Sequence, residues 1–168
     1  MTPLAPPFGS PDIIAWRLDE KRFAATWDSG EGSLLFGGRW NSKGGRAVYC
    51  AFDPATAILE VAAHKGFRAL DTVPHVMTAI RIADATSIKI VQSGSVPNRN
   101  WLRPGTPSAG QQEFGDELLQ DNIFFAIPSA VSTHSWNLVF TRARAQRWYA
   151  LALQEDFELD TRLHPPAR

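Results

Sequence analysis

Arg39, Tyr49 and Glu60 fall within 22 residues of one another, in Gly37-Gly38-Arg39-Trp40-Asn41, then Gly44-Gly45, Tyr49 and Leu59-Glu60. An arginine can hold phosphate oxygens through its planar fork of donors. A tyrosine ring can stack on a flat heterocycle. A carboxylate beside a sugar can stabilise positive charge growing at the anomeric carbon. Together these suit a dinucleotide whose sugar–base bond is to be broken.

Each residue also has a plainer reading when taken alone. Arg39 would be a surface arginine paired with a carboxylate, Tyr49 a core tyrosine, and Glu60 a helix-edge carboxylate in i,i+4 contact with His64. Flanking Gly37 and Gly38 favour the ligand reading of Arg39, because they let backbone approach a bound molecule closely. The combination carries the argument. Ser129, after Pro128 at the end of an apolar run, reads either as a strand-end side chain reaching a cleft or as a turn serine. Asn137 reads as a buried amide fixing a loop.

The elements that would position these groups follow from local patterns. Ile13 to Leu18 is apolar and β-branched, a first strand carrying Arg17. Lys21 to Trp27 reads as a short helix, and Asp28 to Gly38 as a glycine-rich loop anchored by Leu34-Leu35-Phe36. Arg46 to Ala51 is a strand with Tyr49 and Cys50 on opposite faces. Asp53-Pro54 opens a helix as N-cap and first-turn proline, and helical periodicity places Glu60 at the border of its buried stripe. Val76 to Ile82 reads as an alternating strand, with another at Ser87 to Gln92. Ser108 with Gln111 fits a capping box for a helix to about Leu119. Ile123 to Ile127 is a buried strand ended by Pro128, and Trp136 to Phe140 and Phe157 to Leu159 are late strands. Strands in adjacent runs favour α+β over a doubly wound parallel sheet.

Composition sets the outer limits. The chain has 168 residues, enough for one domain with its own core. Its 17 basic and 17 acidic residues balance, which argues against duplex DNA or bulk RNA as the main ligand. Cys50 is the single cysteine, so no disulfide framework or thiolate metal cluster is expected, and it reads as core. The four histidines lack metal-ligand spacing. No secretory signal or apolar run of membrane-spanning length is visible, so the cytoplasm is the expected location. The Pro-rich start and the stretch from Leu163 to Arg168 are expected to be poorly ordered. Walker-A, Rossmann and G-x-S-x-G patterns are absent, so a bound dinucleotide would be held by another architecture and consumed.

In order along the chain stand Trp16-Arg17, Gly38-Arg39-Trp40-Asn41, Val48-Tyr49, Ala57-Ile58-Leu59-Glu60-Val61 with His64, Gly115-Asp116, Ile127-Pro128-Ser129-Ala130, Asn137, and Asp160-Thr161-Arg162-Leu163. With these pieces the chain resembles the RES-domain family, the toxin half of bacterial RES–Xre toxin–antitoxin pairs. The family's arginine, glutamate and serine map onto Arg39, Glu60 and Ser129, its tyrosine onto Tyr49, with Arg17 as a second cleft arginine. Two departures stand out. Phe140-Thr141-Arg142-Ala143-Arg144 lies where many members carry Asn-Pro-x-His, and Leu118 lies where tryptophan is common.

The resemblance implies a single RES domain over 13–163 between a 1–12 tail and a 164–168 tail. It implies an α+β fold with a split β-sheet core like that of ADP-ribosyltransferases and flanking helices. It also implies cleavage of NAD+ at the nicotinamide–ribose bond, by hydrolysis, phosphorolysis or ADP-ribosyl transfer to a protein. NAD+ would be substrate, with no cofactor and no metal. Glu60 would stabilise the ribosyl cation, Tyr49 would stack on nicotinamide, Arg39 with Arg17 would fix the diphosphate, and Ser129 would hydrogen-bond the ribose or the amide. The implied partner is an Xre-type antitoxin that supplies any DNA contact, and a toxin homodimer inside that complex is compatible with the resemblance. A non-catalytic nucleotide- or protein-binding module is the reading from a different class. A ribonuclease is disfavoured by the neutral charge and the lack of an acid–base histidine pair.

Overall fold

The computed structural model describes residues 12–103, 105 and 107–164. Seven strands form one sheet: β1 (Ile13–Glu20), β2 (Val48–Ala51), β3 (His75–Ile82), β4 (Ile88–Ile90), β5 (Phe124–Pro128), β6 (Trp136–Phe140) and β7 (Tyr149–Phe157). Their spatial order is β4-β5-β6-β2-β1-β3-β7. Only β4 and β5 run parallel; every other neighbouring pair is antiparallel. Among the described residues, five α-helices flank the sheet: α1 (Glu31–Phe36), α2 (Pro54–Lys65), α3 (Phe67–Thr72), α4 (Ala109–Asp121) and α5 (Arg142–Ala145). The fold is α+β, as the run of strands indicates. Among the described residues, no helix is long and apolar enough to cross a membrane.

The sheet nearly divides in the middle. β1 and β3 are paired along eight positions, from Ile13 with Ile82 to Glu20 with His75, whereas β1 meets β2 only at Trp16 with Ala51. One face is covered continuously by a cluster that includes Ala15, Val48, Cys50, Ile80, Phe124, Leu138 and Phe140. The other face carries two separate clusters. Trp40, Trp101, Phe125, Ile127 and Val139 pack over the β5–β6–β2 half, and Leu18, Leu70 and Met77 over the β1–β3 half with Ile58 and Val61 of α2. Covered on both faces, β3 is buried at every position except Arg81, so the expected alternation is absent.

Local signals hold where backbone chemistry is decisive. The Asp53 carboxylate accepts hydrogen bonds from the Thr56 amide and hydroxyl, both at 2.7 Å, and starts α2 at Pro54. Gly66 ends α2 at φ 78°, a left-handed value that glycine adopts freely. Ser108 caps α4 at the Gln111 amide, and that helix runs two residues past Leu119.

Several expectations need correction. Asp28 to Gly38 is not all loop, since Glu31–Phe36 is helical. Its glycines bracket the helix: Gly30 (φ 64°) enters it and Gly37 (φ 73°) leaves it. The strand expected at Arg46 starts at Val48, because the Ala47 amide and carbonyl are both taken by the Ser33 hydroxyl. Phe67–Thr72, which carries no strong sequence signal, is helical. The late strand expected at Phe157 to Leu159 is instead Tyr149–Phe157. As a sheet edge it is exposed at all seven interior positions, so no buried face imposes a period on its sequence. Leu163 closes a 3-10 turn, Thr161–Leu163, so it is not part of a tail; Met1 to Pro11 and residues 165–168 lie outside the described residues.

Among the described glycines, Gly115 of α4 is the most tightly approached: an added Cβ would collide with the Trp40 carbonyl and Cα. Those are backbone atoms of a residue only 1% exposed, so no side-chain rotation relieves the clash. Gly115→Ala should therefore lower stability by roughly 1–3 kcal/mol through overpacking. A lower urea midpoint at unchanged m-value would show it.

Candidate functional site

Glu60 lies six residues into α2 and is half-buried at the seam between the two clusters. Its Oε1 accepts two hydrogen bonds from the other half of the sheet. The Ser129 hydroxyl donates at 2.8 Å and the Asn137 amide nitrogen at 2.6 Å. Donors to an ionised carboxylate make shorter and stronger bonds than neutral pairs do. Among the described residues, no hydrogen bond falls on Oε2.

Ser129 directly follows β5 and is fully buried. Its hydroxyl oxygen accepts the Val131 and Ser132 amides at 3.2 and 3.1 Å, which fixes the hydroxyl hydrogen toward Glu60. It therefore anchors Glu60. Asn137 sits on β6 opposite Ala51. It does not fix a loop; its nitrogen is spent on Glu60.

Tyr49 shares a sheet face with Asn137, diagonally across the β2–β6 pair: Tyr49 opposes Val139, and Ala51 opposes Asn137. Its hydroxyl donates to Asn41 Oδ1 at 2.7 Å and accepts the Trp40 amide at 3.1 Å. Burial pushes the phenol above its usual range, so the hydroxyl stays neutral and can make both bonds. The Tyr49 hydroxyl lies so close to Gly38 that a Cβ there would come within 2.5 Å of it. Glycine at position 38 is thus set by the tyrosine beneath it.

Asn41, fully buried, is the inner anchor of the loop. Its amide nitrogen reaches the carbonyls of Ser33, Ser42 and Gly45 at 3.0–3.2 Å. Gln112 of α4 reaches the Gly38 carbonyl at 2.9 Å. Nothing in linear spacing marked these roles of Asn41, Gln112 and Asn137, because every partner but Ser42 and Gly45 is distant in sequence. Arg39, half-buried, donates one bond to the Trp101 carbonyl at 2.7 Å. Its remaining donors take no hydrogen bond or ion pair among the described residues.

Arg17 occupies the split itself. Two of its nitrogens bond the Asp19 carboxylate at 2.8 and 2.7 Å, and Nη1 donates to the Tyr49 carbonyl at 2.8 Å. Burial favours losing the charge, but the Asp19 carboxylate, together with Cys50 and Asp28, more than offsets it, and the guanidinium is held more firmly protonated. The structure thus brings Glu60, Ser129 and Asn137 together, links Tyr49 to the Arg39 loop, and ties Arg17 to the Tyr49 backbone. Cys50, 4% exposed, belongs to the core on the far face, and burial pushes its thiol up to about 12. Among the described residues, no group of three or more His, Cys, Asp or Glu gathers at metal-binding distance.

A shallow cavity of about 550 Å³ lies on the outer side of the same loop, lined by Ser42, Lys43, Arg46, Asp116 and Arg144 among others. It includes none of the grouped residues. The seam is the better candidate, because the buried charge-assisted bonds converge there.

A family model described as "RES domain" matches residues 14–160. A protein named "Toxin Res" from Photorhabdus laumondii subsp. laumondii is 31% identical over 155 residues, covering 90% of this chain and 97% of that one. Another "Toxin Res", from Yersinia enterocolitica, is 28% identical over 130 residues, covering 76% and 82%. Among solved structures, the M. tuberculosis MbcT-MbcA toxin-antitoxin complex contains a chain that aligns with a TM-score of 0.68 at 20% identity. That match covers 88% of this chain and 85% of the other, a likeness of fold.

Tyr49→Phe keeps the ring but leaves the buried Trp40 amide and Asn41 oxygen without a partner. We expect a stability loss of about 1–3 kcal/mol, seen as a lower urea midpoint.

Proposed function

The chain belongs to the RES-domain family, and from that premise we propose that it is the toxin of a toxin–antitoxin pair and cleaves NAD+ at the nicotinamide–ribose bond. The observation that carries this reading is the two-donor hold on Glu60 Oε1, which leaves Oε2 without a hydrogen bond among the described residues, on a carboxylate at the seam of the sheet. A carboxylate restrained in this way is preorganised to meet positive charge.

NAD+ carries a cationic leaving group. When the C–N bond breaks, its electron pair goes to the ring nitrogen and nicotinamide departs neutral, so no general acid is required. The ribose becomes oxocarbenium-like, as in glycoside cleavage. Glu60 stabilises that cation and orients the incoming water or phosphate oxygen. Arg39 binds the diphosphate with the donors that Trp101 leaves free. Arg17, already neutralised by Asp19, has the weaker claim on an anion. Its part is to hold the Tyr49 backbone, and the Tyr49 ring is the surface offered to nicotinamide.

Purified protein incubated with NAD+ should release nicotinamide; no release would sink this reading. Glu60→Gln should lower the rate by about 10²–10³-fold, by analogy with loss of one electrostatic stabiliser. Its melting temperature should barely move, since a glutamine oxygen can still accept both bonds. Arg39→Lys keeps the charge but loses the fork, and should raise KM with kcat little changed.

A protein that destroys NAD+ endangers its own cell, and an Xre-type antitoxin is the control we propose. A segment laid across the seam, with a carboxylate on Arg39, would block the site sterically. Expression alone should deplete NAD+ and arrest growth, and co-expression of the partner should restore both. An isolated complex that still cleaves NAD+ at the full rate would rule out this mode of inhibition.

A further inference from the structure

Asn137 stands out among the buried residues of the site. It is 9% exposed, and its Oδ1 is sealed from solvent with no hydrogen-bond partner among the described residues. A buried acceptor without a donor costs stability, and native structures keep few of them. The amide cannot turn over to relieve this. Its nitrogen faces Glu60 Oε1 at 2.6 Å, and rotation would set oxygen against oxygen. An apolar side chain of the same shape would avoid the orphaned carbonyl, so the benefit of asparagine here has to come through Glu60.

The register supplies that benefit. Asn137 stands opposite Ala51 at the one position where β2 also meets β1, through Trp16. The donor is therefore fixed to the most constrained point of the split. Ser129 reaches the same oxygen from the loop after β5. Two donors on one oxygen restrain the carboxylate in distance and in rotation, whereas Ser129 alone would leave it free to swing about a single bond.

We propose that Asn137 is a positioning residue for Glu60: it pins Oε1 so that Oε2 is the oxygen turned to the reacting sugar. This rests on Glu60 acting as the cation-stabilising carboxylate. Asn137 acts through Glu60 and does not itself touch substrate.

The test is a double-mutant cycle in the full chain with NAD+ as substrate, read by nicotinamide release and thermal melting. Asn137→Leu keeps the shape of the side chain and removes both the donor and the orphaned oxygen. It should lower kcat roughly 10–100-fold with KM within about 3-fold, because only transition-state stabilisation is lost. Its melting temperature should stay within about 3 °C of the parent, since one bond and one unpaired acceptor disappear together. In a Glu60→Gln background the same change should cost no more than about 3-fold further, because the residue it positions is already disabled. Asn137→Ala provides a second variant should leucine overpack β6.

Unchanged kcat in a folded Asn137 variant, or full additivity with Glu60→Gln, would overturn the positioning role while leaving NAD+ cleavage intact. A large drop in melting temperature with normal turnover would make Asn137 purely structural and overturn it too. Absence of nicotinamide release by the parent protein would overturn the functional reading and this one with it.

Discussion

One residue pair, Trp16 with Ala51, joins the two halves of the sheet. A full antiparallel ladder there would close the face into a single packed surface. Instead the strands part after one contact, and each half keeps its own cluster on that face. The gap costs ladder hydrogen bonds, and Arg17 offsets part of that loss by donating to the Tyr49 carbonyl. Its own charge is balanced by Asp19. An arginine suits this place because its fork reaches a carboxylate and a carbonyl at once.

Opening the sheet makes room for the candidate site, and hydrogen bonds cross the opening there. Glu60 belongs to the helix packed on one half; Ser129 and Asn137 belong to the other. Their convergence on a single oxygen turns a flexible helix-edge carboxylate into an oriented one. A parallel chain of contacts sets the arginine loop: Tyr49 holds Trp40 and Asn41, Asn41 holds the loop backbone, and Gly38 and Gly115 allow tyrosine and helix to approach. Both chains start at β2, whose Tyr49 supports the loop and whose Ala51 registers Asn137. The four residues of this strand connect the candidate anion-binding arginine to the candidate catalytic carboxylate.

This arrangement explains why single residues here have plain readings while the set does not. Ser129 could serve as a turn serine, and it does bond the amides of Val131 and Ser132. The same bonds aim its hydroxyl hydrogen at Glu60. Tyr49 could be a core tyrosine, and its hydroxyl is indeed buried and satisfied within the protein. That satisfaction is what fixes the glycine-rich loop.

The sequence by itself determined the elements whose ends are set by backbone chemistry within a few residues. These are the start of α2 at Asp53-Pro54, the Ser108 cap of α4, and the apolar strands β5 and β6. It also placed Glu60 at the margin of a buried helix face and ranged the Arg39, Tyr49, Glu60 and Ser129 set in family order. Only the tertiary structure decided which atoms meet. Ser129 lies 69 positions from Glu60, and Asn137 lies 77 positions away. Their encounter follows from the strand order β5-β6-β2 and from the register of β6 on β2. Likewise, the helix within the glycine-rich stretch depends on the Ser33 hydroxyl finding Ala47 fourteen positions away, and β7 on docking beside β3 without a buried face of its own. Caps and periodicity are local free energies that the sequence writes in order, whereas contacts across a split sheet exist only once strand order and register are fixed.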